Sequence, residues 1–329
     1  MFIAAYAAGS EAIDGATCLT SASGEWPLVG IGRQTFRTYA RNRGAGWEQV
    51  DFFTWSALQL LYLVEYANFN SQAMIGDGIS SKRCVADDVA TVAETGANRI
   101  IVSNTAASYR YVGEAVYVAR ALGSHSANNR RIITAIDEYD ADNKAISFDG
   151  DPLDIAVGDC IWCACRPSGD ADGLKSSTGR TDQDTVNNRC QVSYRGVEGF
   201  YSNGFVNLDG VIISDYEWFV NLDPSLWGDT APDVDNGWYS IGVCPSEGGY
   251  IKAFVRSSMP SALIPESIGA GSTTYVCDYY WMAPGLRAPR VGGLPTSGAS
   301  AGVWYWYASS APSAGTWSFV GRLRYRRPR

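Results

Sequence analysis

Residues 291–321 read VGGLPTSGASAGVWYWYASSAPSAGTWSFVG, thirty-one residues without a single charge. Six are Gly, five Ala and six Ser, and among them stand Trp304, Tyr305, Trp306, Tyr307, Trp317 and Phe319. Small residues interleaved with large aromatics make a poor core, because a core needs volume. They make a good contact surface: rings supply area at low entropy cost, and Ser and Gly supply adaptable contacts. The competing reading is a glycine-rich edge hairpin with its rings turned inward. Strand alternation divides the segment, because Trp304 and Trp306 share one face and Tyr305 and Tyr307 the other. One pair is expected to face in, as buried framework, and the other out.

The rest of the chain sets that segment in an acidic, β-rich context. Net charge is −8 over 329 residues, yet from Tyr279 onward there are seven arginines (287, 290, 322, 324, 326, 327 and 329) and no Lys, Asp or Glu. Such a basic end reads equally as a docking face or as a short exposed tail. A pI near 4.8 opposes nonspecific nucleic-acid binding, which depends on neutralising phosphates. With 46% hydrophobic residues the chain can bury a real core, and 35 Gly beside 41 aromatics (11 Trp, 19 Tyr, 11 Phe) suggest many turns and strands. No apolar run approaches the roughly 20 residues of a membrane helix. The N-terminal Met1-Phe-Ile-Ala-Ala lacks the basic start of a secretory signal and reads as a first strand.

Two helices are expected early. One spans 33–43 and ends at Gly44; the other spans 54–67, capped by Thr54, apolar on nearly every face and therefore buried. Short strands follow near 99–103, 131–136, 144–148 and 160–164, separated by polar turns, which suggests a small inserted β-rich subdomain over 85–165. Residues 167–185 read as a polar linker, and further strands are expected near 189–194, 201–213, 218–220, 237–243 and 250–255. The domain reading is thus 1–84 and 166–329 as two parts of one domain, with 85–165 between them. Of eight cysteines, only Cys160, Cys163 and Cys165 cluster. They offer a soft metal three ligands and no clear fourth, so buried free thiols are the expected reading. That implies assembly in a reducing cytoplasm without obligatory disulfides.

Arg290-Val-Gly-Gly293, Gly298-Ala299, Ala301-Gly-Val-Trp-Tyr-Trp306 and Gly321-Arg-Leu323 resemble the fixed framework of variable proteins diversified by retroelements in phages and bacteria. In that family reverse transcription scrambles adenines, so Asn-type codons become many others, though never Trp, Lys, Met, Glu or Gln. Leu294, Thr296, Ser297, Ser300, Tyr307, Ser309, Ser310, Ala314, Thr316 and Ser318 lie between the framework residues, and all are reachable from such codons. The stretch from Trp55 to Tyr66, with Gln72 and Ile75-Gly-Asp-Gly78, resembles the second helix of phage-borne lectin-fold proteins. Tyr194-Arg-Gly-Val-Glu198 and 201–210 resemble their Gly-Asn-x-Trp-x-Trp element, with Ser202 in place of its glycine and Phe205 and Leu208 near its aromatic positions.

The resemblance implies an α+β, C-type-lectin-like fold, with two helices against twisted antiparallel sheets. It implies that Gly292, Gly293, Gly302, Trp304, Trp306, Gly321 and Arg322 are framework and that the ten intervening residues form the ligand-binding, variable face. It further implies a tail-fibre receptor-binding protein of a virion, or a bacterial-surface protein, assembled in the cytoplasm. Its partners would be a host cell-surface protein or glycan and other tail-fibre or virion proteins, with homo-oligomers allowed and no membrane insertion.

The same fold serves formylglycine-generating oxidases and iron-dependent sulfoxide synthases, so a modifying enzyme is the alternative, as is a structural virion protein. The first enzyme type needs a late cysteine pair, and Cys277 stands alone with Cys244 far off in sequence. The second needs several histidines, and His125 is the only one here. The carboxylates Asp87, Asp88, Asp137, Glu138, Asp140 and Asp142 lie in turn-like sequence, where solvation explains them. No phosphate loop or dinucleotide fingerprint is present. The reading is therefore a binding protein with no catalytic residues, no metal and no cofactor.

Overall fold

A computed structural model of the chain describes residues 1–173, 190–259 and 261–327. The expected linker over 167–185 lies largely outside them. The chain divides into two compact units, Met1–Ser80 with Ser168–Arg329, and Ser81–Pro167. Each is α+β with sheets dominant and only short helices beside α2. The described residues hold four α-helices: α1 (Arg33–Arg41), α2 (Phe52–Tyr66), α3 (Ser71–Ile75) and α4 (Asn104–Ser108).

The first unit is built on a seven-stranded sheet. Its spatial order is Leu263–Ile268, Gly249–Arg256, Tyr279–Met282, Gly302–Ala308, Arg290–Gly292, Phe205–Asn207 and Phe319–Val320. The sheet is mixed: Tyr279–Met282 runs parallel to Gly302–Ala308, and Phe205–Asn207 parallel to Phe319–Val320. The expectation of purely antiparallel sheets is corrected there, because neither parallel pair is joined by a hairpin. A four-stranded sheet (Tyr239–Val243, Glu217–Val220, Val211–Ser214, Leu286–Arg287) and a three-stranded one (Phe2–Ile3, Leu323–Tyr325, Trp47–Gln49) complete the unit with the hairpin Gly9–Ile13/Ala16–Thr20.

Helix α2 starts two residues before its expected position. Its cap is Asp51, whose carboxylate accepts from Thr54 N at 2.6 Å, and it ends at Ala67 in the left-handed region. One side of it covers the seven-stranded sheet: Tyr62 meets Trp304 edge-on at 5.4 Å, Phe52 meets Trp306 at 5.9 Å, and Gln59 Nε2 donates to Val303 O at 2.8 Å. The other side is open, with Leu61 42% and Val64 85% exposed, so its apolar sequence does not mean burial all round. Helix α1 does not lie on that sheet as expected. Its Phe36 and Ala40 pack with Ala8, Leu19 and Leu323, while Arg37 grips Asp209 through two hydrogen bonds of 2.6 and 2.7 Å. It ends at Arg41, before the expected 43, with Asn42 as its cap.

The second unit carries a five-stranded antiparallel sheet in the order Cys160–Cys163, Ala115–Ala119, Arg130–Glu138, Asn143–Phe148, Arg99–Ser103. Ile100, Val102, Val116, Ile133, Ile146 and Ile161 form its core. Sequence pattern misses the Ala115–Ala119 strand and α4. Cys160, Cys163 and Cys165 are buried thiols outside any disulfide: the first two lie on a strand whose four residues are all enclosed, and Cys165 lies just past its end.

Candidate functional site

The strand Gly302–Ala308 separates two aromatic layers. Trp304 and Trp306 are fully buried on the α2 side, where Trp304 also meets Phe69 at 4.8 Å and Trp306 meets Trp218 at 5.1 Å. Tyr305 and Tyr307 point the other way. The expected alternation holds, but the expected exposure of both tyrosines does not. Tyr305 is only 4% exposed because Phe205, Phe319, Tyr279, Tyr307, Leu294 and Ala314 pack around it. The outer face is thus a platform of touching rings, not a bare strand. Phe205 stacks on Tyr307 at 4.5 Å and on Tyr305 at 5.3 Å, and Tyr279 joins Tyr305 at 6.4 Å and Trp281 at 5.0 Å. Of these rings Trp281 is the open one, 46% exposed. Burial raises the pKa of the Tyr305 hydroxyl.

Two loops rim this platform, and both are held from outside by their backbone. In the first, Gln72 Nε2 donates to Gly298 O at 2.8 Å and Ala301 O at 2.7 Å, and Gly298 N donates to Ser80 O at 2.7 Å. In the second, Arg33 N donates to Pro312 O at 3.1 Å and Gly30 N to Thr316 O at 3.0 Å. Arg290 lies beneath that loop, fully buried. It stacks on Phe319 at 3.8 Å and donates to Asn207 Oδ1 at 2.8 Å and to the carbonyls of Ala288, Ala311 and Ala314. Burial lowers its pKa to about 9, which leaves it charged at neutral pH.

The structure gathers most of the ten expected contact residues. Leu294, Tyr307 and Ala314 share the ring cluster, and Ser310 Oγ lies 3.0 Å from the Tyr307 hydroxyl. Ser300 Oγ donates to Ser297 O within the first loop, and Thr296 is exposed at its tip. Thr316 and Ser309 are half-buried in or beside the second loop. Ser318 is corrected: it is 5% exposed because its carbonyl accepts from Phe205 N at 2.8 Å, which draws it into the sheet edge. Ser297 and Tyr307 also carry structural contacts, Ser297 Oγ accepting from Leu294 N at 2.9 Å. Sequence reasoning missed Trp281, Tyr279 and Gln72, which lie outside 291–321. The aromatic alternation in Tyr279-Tyr-Trp-Met282 was the available signal for the first two.

The framework residues are enclosed for identifiable reasons. A Cβ on Gly302 would stand 2.2 Å from Asp278 Oδ1, and one on Gly321 would stand 2.4 Å from the Phe36 ring. Gly292 and Gly293 are buried too, both at positive φ. Arg322 is fully buried and donates to the carbonyls of Ala4, Ala5 and Glu198. Arg324 is likewise buried, paired with Glu48 and Asp51. Arg290, Arg322 and Arg324 are therefore internal wiring rather than a docking face or tail, whereas Arg287 is half-buried and Arg326 and Arg327 are exposed. Burial pushes the Cys277 thiol up to about 12 and the carboxyl of Asp278 up to about 8, so at neutral pH neither is an ionised group. Among the described residues no group of three His, Cys, Asp or Glu is placed to hold a metal, and no helix is long and apolar enough to cross a membrane. His125 sits in a turn with Nδ1 2.9 Å from Gly123 O. No family model matches the chain, and no curated protein is similar to it.

Proposed function

We propose that this is a ligand-binding protein on a C-type-lectin-like scaffold, a retroelement-diversified variable protein serving as a phage tail-fibre receptor-binding protein. Its rimmed aromatic face recognises a host-surface target. One observation carries the reading: the two rim loops are anchored through their backbone by Gln72, Arg290 and residues 30–33, none of which belongs to the proposed variable set. These backbone anchors remain when the side chains at Leu294, Thr296, Ser300, Ser309, Ser310, Ala314 and Thr316 change. A surface meant to be rewritten requires that separation, since exposed positions contribute little to folding. The protonated, buried Cys277 favours binding over thiol catalysis.

The test replaces those seven residues together and leaves Ser297, Tyr307 and Ser318 in place. The replaced protein is expected to melt within a few degrees of the parent and to lose adsorption to the cells that the parent binds. Equal adsorption to those cells sinks the reading. An independent check lies in the neighbouring DNA, where a reverse-transcriptase gene and a template copy of 291–321 are expected.

A further inference from the structure

Trp281 and Tyr279 stand on the proposed binding face but outside the segment that would be rewritten. Trp281 is the most exposed tryptophan among the described residues. Its strand pairs in parallel with Gly302–Ala308, Trp281 opposite Tyr307, and its ring lies 5.0 Å from that of Tyr279. Tyr279 in turn meets Tyr250 edge-on at 5.0 Å, so the platform continues away from the rim loops. The sheet pairing fixes the side from which this indole leaves its strand, and the Tyr279 ring flanks it, so it stands open on the platform. An open, immobilised ring pays little ordering entropy when a ligand covers it.

We propose that Trp281, with Tyr279 beside it, is a constant stacking platform for a neutral saccharide, whose hydroxyls are read by the replaceable rim. The inference rests on the reading of this face as the binding face. Three features select the ligand class. A pyranose ring presents a sheet of C–H groups to the electron-rich face of an indole. Its edge is all hydroxyls, which match the uncharged hydroxyl rim of Thr296, Ser300, Ser310 and Thr316. An acidic saccharide or a charged protein epitope would call for a cation, and residues 291–321 offer none. The division of labour follows: the ring supplies affinity for any flat C–H face, and the rim chooses among sugars.

The experiment presents the whole chain to an array of neutral and acidic oligosaccharides, then measures affinity for a retained sugar with the parent, Trp281→Phe and Trp281→Ala. Expected are retention of neutral sugars, at least about tenfold weaker binding for Trp281→Ala, and an intermediate loss for Trp281→Phe. Because Trp281→Ala could disturb Tyr305, a second measurement uses the parent alone. N-bromosuccinimide should oxidise Trp281 first, and a bound neutral sugar should protect it, as read by peptide mass. Retention of acidic sugars only, no retained sugar, or oxidation unchanged by saturating sugar overturns the proposal. Adsorption to cells that is lost after protease but survives periodate also overturns it, while leaving the binding face intact. Equal adsorption after the seven-residue replacement would instead remove the face itself.

Discussion

Trp304 and Trp281 lie on opposite faces of one sheet, in adjacent parallel strands, and replacing each with Ala tests the architecture directly. Trp304 is fully buried against Tyr62, Phe69 and Phe254. A buried tryptophan removes about 150–250 Å² from water. At about 25 cal/mol per Å² that is about 4–6 kcal/mol, and measured aromatic truncations fall at about 3–5 kcal/mol. Trp281 has nearly half its surface in water already, so its truncation should cost about half as much, about 2–3 kcal/mol. Thr296→Ala, at an exposed loop tip, should cost within about 0.5 kcal/mol. Urea titrations followed by far-ultraviolet circular dichroism avoid the fluorescence that the substitutions remove. In a unit of this size about 4 kcal/mol also lowers Tm by about 8–16 °C. If Trp304→Ala costs less than about 1 kcal/mol, or no more than Trp281→Ala, the assignment of framework and contact faces is refuted.

Two other outcomes follow from the space beneath that strand. Gly302→Ala places a methyl 2.2 Å from Asp278 Oδ1 and should abolish soluble expression or cost at least about 3 kcal/mol by thermal melt, whereas Gly298→Ala, with open space around it, should cost only the strain of its φ of +55°. Asp278 should contribute stability that is lost as pH rises from about 4 to about 8, because it stays protonated in the fold up to about 8 while the unfolded chain ionises it near 4. Glu198, pushed up to about 7 by burial, adds a slope of the same sign over about 4 to 7. Asp278→Asn should therefore be more stable than the parent at pH 8 by at least about 1 kcal/mol, with the gain vanishing near pH 4; a gain that grows toward acid contradicts the assignment.

Much of this was legible in the sequence, and the failures share a cause. The apolar run in α2, four of the five strands in the second unit's main sheet and the in–out alternation at 304–307 are local patterns, and periodicity reports them within a residue or two. What periodicity does not report is the cover over each face. Tyr305 alternates outward yet is enclosed, because Phe205 and Tyr279 arrive from strands distant in sequence. Leu61 and Val64 continue an apolar pattern yet are open, because nothing in their unit covers that side of α2 among the described residues. The terminal arginines misled in the opposite direction: a run of uncompensated cations suggests solvent, but Arg290 and Arg322 are satisfied by backbone carbonyls, which leave no trace in the sequence.

That last device explains how the candidate site tolerates its own composition. Residues 291–321 are poor in every usual stabiliser, having no charge and few aliphatics, and Gly and Ser dominate the rim. Loops of this kind are mobile unless something outside fixes them. Here the fixing groups are long side chains and backbone from elsewhere in the unit: Gln72 spans the first loop with two hydrogen bonds to carbonyls, and Arg290 reaches carbonyls at both ends of the 311–314 turn. A carbonyl acceptor is the same whatever residue bears it. Loop geometry is therefore set largely by groups outside the ten expected contact positions. Ser297, Tyr307 and Ser318 enter the structural network most, and there substitution should disturb the fold as well as the ligand choice; Ser300, Ser310, Leu294 and Ala314 join it through one hydroxyl contact or one packing contact each.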